Sequence, residues 1–344
     1  MKQRPTLPAV LLRRVLGALP VVAGAAVFTF FLARLLPGDP VAHLASGLGA
    51  TPEGLAALRH RLGLDLSLPR QFWRYLRALL QGDWGHSFMT GDAVRDDLRT
   101  RLPASLELTV CGFAVSLCAG LALGVAAALR PGRWPDHLCR MVASVGGSLP
   151  SFFIALLLIH VCYFRLGWAP EPTGRLDPLL LAPPARTGFL LIDAALAGDA
   201  VAWTDAARHL LLPAGTMALF GVAPIARIAR SALLEALGGD AVRTARSLGL
   251  PAHVVLRDYA LAQAAPAIVT TLGMVFSYLL GANVAVEKVF AWPGIGSYAL
   301  DALAASDYAP LQGFILCVAL VFVILNLLVD LLVAWLDPRA RRSP

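Results

Sequence analysis

The seven histidines, five cysteines and two lysines are the side chains here best suited to bond-making chemistry, and their spacing argues against a reaction centre. His43, His60, His86, His137, His160, His209 and His253 form no His-Glu-x-x-His or His-x-x-x-His pair, the spacing that sets two imidazoles on one helical face for zinc. His160 with Cys162 could form a metal site, but a single histidine on an apolar helix is more often a packed polar residue, so no metal ligand is assigned. Cys111, Cys118, Cys139, Cys162 and Cys317 contain no Cys-x-x-Cys pair and read as small apolar fillers. There is no Gly-x-Ser-x-Gly elbow. Neither Lys2 nor Lys288 follows a glycine-rich phosphate loop, so any ATP that drives this protein is bound by another chain. No catalytic residue is assigned, and the chain is not expected to be an enzyme.

The elements that carry these residues are apolar. Of 344 residues, 58% are hydrophobic and 15% charged, against about 45–50% and 25% in soluble domains. Uncharged runs at Val15–Ala33, Leu108–Leu129, Met141–Phe164, His209–Ala226, Tyr259–Val286 and Tyr308–Val329 have the length of spanning helices. The shorter run Leu179–Ile192 holds Pro183, Pro184 and Arg186 and is left outside the membrane. The expected fold is therefore all-α and integral to the membrane, with six transmembrane helices. Val15–Ala33 is longer than a signal-peptide core, and the Arg34-Leu-Leu-Pro-Gly-Asp-Pro that follows offers no small-residue cleavage site, so it reads as an uncleaved first span.

Charge sets the orientation. With the N-terminus inside, segments 1–14, 130–140, 226–258 and 337–344 hold 15 Lys/Arg against 5 Asp/Glu, whereas 34–103, 165–208 and 287–308 hold 14 against 15. Positive residues are retained on the cytoplasmic side of short loops, so both termini are predicted to be cytoplasmic. Arginine-rich inner loops also meet anionic lipid, which accounts for the net charge of +7 without a nucleic-acid partner.

Residues 1–36 form the N-terminus and first span, 37–103 an extracytoplasmic segment, and 104–344 the core with the other spans. The extracytoplasmic segment opens with a turn at Leu36-Pro37-Gly38-Asp39-Pro40 and has a helix start at Thr51-Pro52. A second amphipathic helix carries Phe72, Trp73, Tyr75, Leu76, Leu79 and Leu80. It is expected to be a small cap of helices rather than a separate domain. In the outer loop 165–208, Ile192–Ala207 is expected to hold one short interfacial helix bearing Trp203. Pro150, Pro213, Pro224, Pro266 and Gly281 interrupt the third to fifth spans, and broken backbone in lipid survives where protein or a water-filled cavity re-satisfies it. Pro150, Ser151, Pro224, Ser277 and Asn283 are accordingly candidates for lining a pathway. Gly120-Leu-Ala-Leu-Gly124 offers a small-xxx-small packing face.

The longest inner connection, about 233–262, contains Asp240, Arg243, Thr244-Ala245-x-x-x-Gly249 and, twelve residues on, Leu261. This element resembles the "EAA" loop of bacterial ABC-importer permeases. Further matches follow in order: Gly82-Asp83-x-Gly85-x-Ser87-Phe88, Arg101-Leu102-Pro103-Ala104-Ser105-Leu106-Glu107-Leu108, Ser148-Leu149-Pro150-Ser151-Phe152, Val286-Glu287-x-Val289-Phe290-x-Trp292-Pro293-Gly294-Ile295-Gly296, Asp307-Tyr308 with Gln312-Gly313, and Asn326 to Asp330 and Arg339. From about Arg13 to Arg342 the chain is similar to the first permease subunit of the dipeptide/oligopeptide branch. Ser247-Leu248-Gly249 and Tyr259-Ala-Leu261-Ala262-Gln263 depart from the common pattern, which implies loop contacts tuned to a particular ATPase.

The resemblance implies a type I importer fold, a second homologous permease subunit and two ABC ATPase subunits that bind ATP and Mg, so this chain itself has no cofactor. It also implies an extracytoplasmic substrate-binding protein and a place in the bacterial inner membrane. The glycine would break two short helices, and small Ala and Thr side chains would let the ATPase approach. A di- or oligopeptide is the expected substrate. Glutathione, a nickel chelate or an oligosaccharide are alternatives within the class, and an ion-coupled secondary transporter is the rival outside it.

Overall fold

The computed structural model describes residues 7–35, 65–146 and 149–336, together with positions 53, 54, 56 and 60. The expected turn at Leu36–Pro40, most of the helix expected after Thr51, Ser148 and Asp337–Arg339 lie outside the described residues. In chain order the helices are α1 (Leu7–Leu35), α2 (Leu68–Leu80), α3 (Val94–Leu129), α4 (Trp134–Val145), α5 (Ser151–Leu158, continued by a π-helical segment to Arg165) and α6 (Leu190–Ala197). Next come α7 (Ala200–Gly238), α8 (Asp240–Ser247), the single turn α9 (Ala252–Val254, continued by a π-helical segment to Leu261), α10 (Ala262–Val289), α11 (Ile295–Ala304) and α12 (Tyr308–Leu336). Among the described residues there is no strand; an isolated bridge joins His86 and Ala93.

Four helical runs are long and apolar enough to cross a bilayer: Val94–Leu129, Ala200–Gly238, Ala252–Val289 and Tyr308–Val333. Leu19–Leu35 and Ser151–Arg165 are shorter apolar helices. The helices overrun the apolar stretches that mark them. At 1.5 Å per residue, the 39 residues of α7 reach about 58 Å, roughly twice the hydrocarbon thickness. Its N-terminus is capped by Asp199, whose carboxylate accepts from the Ala202 amide at 2.9 Å, a bond worth about 1 kcal/mol. Hence Ile192–Ala207 is two helices: α6 ends at Gly198, and Trp203 lies in the opening turns of α7. Similarly, α3 begins at Val94 with Asp96 and Asp97 in its first turn, where the helix dipole favours acids. It therefore runs through the boundary expected at 103.

The run Met141–Phe164 is not one helix. α4 ends at Gly146, and Pro150 occupies the N-cap of α5 with extended backbone (φ −64°, ψ 147°). Proline has no amide to continue the α-helical ladder. α5 and its π-helical continuation make 15 residues, about 22 Å of helix.

The centre of the molecule is the α3–α7 seam. Gly112, Ser116, Gly120 and Gly124 on α3 recur every four residues and are all buried. They meet Met217, Gly221, Ile225 and Ala229, which recur every four on α7. A Cβ at Gly112 would stand 2.7 Å from that of Met217, one at Gly120 2.8 Å from that of Ile225, and one at Gly124 2.7 Å from that of Ala229. The two backbones are thus in direct contact, ridge against groove. The small-xxx-small face seen at Gly120–Gly124 is half of a longer stripe. α10 packs on α3 and α7, and α12 packs on α1 and α10.

Candidate functional site

The inner segment is built by a sequence of stops. α7 passes through Gly239 into α8, whose C-terminus closes with paired bonds: the Gly249 amide to Arg246 O (3.0 Å) and the Leu250 amide to Ala245 O (3.2 Å). This closure needs a left-handed residue after the helix, and Gly249 has φ +73°. Pro251 then caps α9 and turns the chain toward α10. Asp240, Arg243 and Thr244 face outward, and Asp240 and Arg243 form a loose exposed pair at 3.6 Å. Leu248 is 72% exposed beside Gly249, and open space surrounds the position of a Gly249 Cβ.

Ala245 differs from expectation. It is 1% exposed and packs with Val242 against Leu233, Val255 and Ala260. Its small size serves the internal fit of α8 on the base of α7. Leu261 is half-buried at the edge of the same cluster. The outward face is therefore made by Asp240, Arg243, Thr244, Leu248 and Gly249.

Close to this segment, Asp136 of α4 is fully buried between arginines. It accepts from Arg230 of α7, from Arg140 at 2.8 Å and from the Gly132 amide at 2.9 Å. Hydrogen bonding by Arg230, by the Gly132 amide and by Arg140 holds this carboxyl well below the usual carboxylate range. Arg230 lies about two turns above the end of α7, so α4 is pinned to the helix that carries α8.

Three acidic clusters organise the other end. Glu287, 1% exposed, accepts from Ser105 Oγ, from Asn283 Nδ2 at 2.8 Å and from the amides of Gly296 (2.8 Å) and Ser297 (2.9 Å). It thereby caps α11, whose own N-cap, Gly294, has no side chain. Trp292 Nε1 donates to Ala104 O at 2.9 Å beside it. Glu107 pairs with Arg175 and accepts from the Leu191 amide at 2.9 Å, which caps α6. Asp307 Oδ2 accepts from Ser87 Oγ (2.8 Å) and the Phe88 amide (2.6 Å), while Asp97 accepts from Tyr298 Oη at 2.7 Å and from Thr90. Sequence motifs contained Glu287, Glu107 and Asp307 but not Asp97, and only the folded chain brings each to its distant partner.

The pathway candidates fall on three neighbouring elements. Pro150 is exposed and Ser151 half-buried at the start of α5, Pro224 is half-buried on α7, and Ser277 is half-buried on α10, donating to Gly273 O at 3.0 Å. α5 packs on both α7 and α10. Asn283 is different: at 1% exposure it belongs to the Glu287 cluster, donating to Ser105 O at 3.1 Å and Thr109 Oγ1 at 3.3 Å. His160 is exposed, and no group of three His, Cys, Asp or Glu side chains gathers around a common point among the described residues.

Comparison with known proteins identifies the architecture. Residues 120–342 match the family described as "binding-protein-dependent transport system inner membrane component", and residues 8–109 match the N-terminal region of the same kind of protein. The chain belongs to this permease family. It is 41% identical over 334 residues to the probable D,D-dipeptide transport system permease protein DdpB of Escherichia coli K12, covering 97% of this chain and 98% of that one. It is 40% identical over 332 residues to the di/tripeptide transport system permease protein DppB of Pseudomonas aeruginosa UCBPP-PA14 (96% and 98% covered). The dipeptide transport system permease protein DppB of E. coli K12 is 36% identical over 335 residues (97% and 98%). As a member of the permease family, the chain is a multi-pass inner-membrane transport component that works with other components, rather than an enzyme.

Proposed function

We propose that this chain is one of two related permease subunits of an ATP-binding-cassette importer and forms part of the passage for di- or oligopeptides. ATP and its magnesium ion are bound and hydrolysed by two separate subunits, and an extracytoplasmic binding protein delivers the substrate. In this reading the chain has six spans, both termini lie in the cytoplasm, and the segment between α1 and α3 forms an outer helical cap. The peptide substrate rests on the names of its relatives.

The observation that carries the reading is the geometry of α8. Its outer face presents Asp240, Arg243 and Thr244, and it ends at an open, left-handed Gly249. Its inner face is locked to the base of α7. A push on α8 by a closing ATPase pair passes into α7, along the seam into α3, and through Asp136–Arg230 into α4. Access then alternates because nucleotide binds the two conformations with different affinity. The buried acids near the spans do not support an ion-coupled transporter: Glu287 and Glu107 are occupied in capping helices.

Two substitutions at Gly249 test the docking. Asn tolerates the left-handed backbone and is small, so Gly249→Asn should fold and retain co-purifying ATPase subunits. Gly249→Arg has open space at its Cβ but strains the left-handed backbone by about 1–2 kcal/mol; it places a long cation on the docking face, and the ATPase should be lost from a chain that still folds. If no nucleotide-binding subunit accompanies the native chain, and uptake persists without ATP, the reading fails.

A further inference from the structure

α2 carries Arg70, Arg74 and Arg77 and no acidic residue, and all three arginines are exposed. Spacings of four and three put them on one stripe of the helix. Another face is committed to α1. The hydroxyls of Tyr75 and Thr29 lie 3.0 Å apart, and the Phe72 ring meets Phe30 edge-on at 5.1 Å. Gln71 Oε1 accepts from Arg34 Nε and Nη2 at 3.1 and 2.7 Å. Between these two faces stand Trp73, 68% exposed, and Leu80, 81% exposed.

The depth of this helix is set by α1. Thr29 lies six residues before the end of α1, about 9 Å along its axis. Around it Val27, Phe28 and Phe31 are exposed on the apolar part of the span, as lipid-facing residues are. An interfacial amphipathic helix sits about 5–10 Å into the headgroup and acyl boundary, with tryptophan at that level. At this depth what covers Trp73 and Leu80 is lipid. The guanidinium stripe, one edge further round, reaches the phosphates, which its planar fork matches. In the orientation proposed above, these arginines also lie on the side from which positive charge is normally depleted.

We infer that α2 is a binding site for anionic phospholipid, with Arg70, Arg74 and Arg77 on the phosphate and charged headgroup and Trp73 and Leu80 against the upper acyl chain. The bound lipid fastens α2, and through Thr29 and Arg34 the end of α1, to the bilayer. This rests on membrane placement alone and not on what is transported or how it is energised.

Fluorescence quenching tests it on the full-length chain reconstituted with brominated phosphatidylglycerol or brominated phosphatidylcholine. Subtracting a Trp73→Phe sample isolates the quenching at Trp73. At about fivefold per arginine, three set an upper limit on the order of a hundredfold preference for the anionic lipid; a preference of several-fold or more, weakened by salt, is expected. Arg70→Gln/Arg74→Gln/Arg77→Gln should bring the two lipids to equal quenching, while the corresponding triple lysine variant keeps most of the preference. Absence of quenching by either lipid would mean that a protein covers the helix and would overturn the site. So would equal quenching of the native chain, or a preference that survives the triple glutamine variant. The native comparison with and without salt decides the matter even if the glutamine variant does not fold.

Discussion

Exchanging the small residues across the α3–α7 seam tests the packing that holds the permease together. A Cβ at Gly221 would lie 2.2 Å from Ser116 Oγ and 2.6 Å from Ser116 Cβ. Rotating the serine relieves the first contact and not the second, so the helices must part by about 1 Å to reach ordinary carbon contact near 3.6 Å. Overpacking of this kind costs about 1–3 kcal/mol, and the shift also loosens Gly112 on Met217 and Gly120 on Ile225, so the upper part of that range is expected for Gly221→Ala. Ser116→Gly alone should cost about 1 kcal/mol, chiefly the helix penalty of glycine. Its hydroxyl bonds, to Gly112 O at 2.7 Å and Ala218 O at 3.3 Å, leave carbonyls already engaged or weakly held. In the double variant the alanine methyl occupies the space of the serine side chain, with Val275 Cγ1 at an acceptable 3.4 Å. The glycine penalty moves from one helix to the other, and the total should be within about 1 kcal/mol of native. Thermal unfolding of the detergent-solubilised chain gives the three values, with Gly221→Ala expected to melt about 5 °C lower. Additive losses in the double variant would show that the seam is not packed as described.

Glu287→Ala leaves the Gly296 and Ser297 amides and the Ser105 hydroxyl without their acceptor and removes one of the bonds of Asn283, a loss of about 3–5 kcal/mol, to be seen as little folded protein after extraction; Glu287→Gln keeps one acceptor oxygen and should fall between. A native melting point for the alanine variant would refute the capping role. Asp136→Asn should lower both stability and the amount transported per ATP, and Asp136→Arg combined with Arg230→Asp should recover part of each; no recovery in the exchanged pair would refute a specific bridge. The Asp136 carboxyl has its pKa lowered in the folded state. Its contribution is therefore complete above the unfolded value near 4 and is lost only as pH falls through the folded one. The difference in melting temperature between native and Asp136→Asn chains should thus stay constant from pH 7 to 5, and a difference that shrinks by pH 6 would contradict the assignment.

Apolar runs located the long helices because bilayer-spanning length leaves a plain trace, as at Leu108–Leu129 and Tyr308–Val329. They could not locate the helix ends, since Val94–Glu107 and Arg227–Gly238 are helical while carrying charge. Proline at 150 did mark a break, and the apolar residues on both sides concealed that it divides α4 from α5. In the inner segment Gly249 was legible because a left-handed stop has few substitutes. Ala245 was not: small size is compatible with either face, and only the α8–α7 packing turns it inward. Glu287 stood within a recognised motif, yet its partners Ser105 and Gly296 are 182 and 9 residues away. A pairing across 182 residues leaves no local periodicity in either segment.

That unequal spacing has a consequence for biogenesis. When α10 leaves the ribosome and enters the lipid, Asn283 is already present one turn away from the Glu287 carboxylate, and the Gly296 and Ser297 amides emerge within ten residues. The α10–α11 corner can satisfy its own acid with local hydrogen bonds before it meets α3. Ser105, made long before, is the last partner to join. The corner therefore enters the bilayer as a self-contained insertion unit, and the acid then serves as a check on tertiary assembly, because the final hydrogen bond forms only if α3 and α10 meet in the correct register.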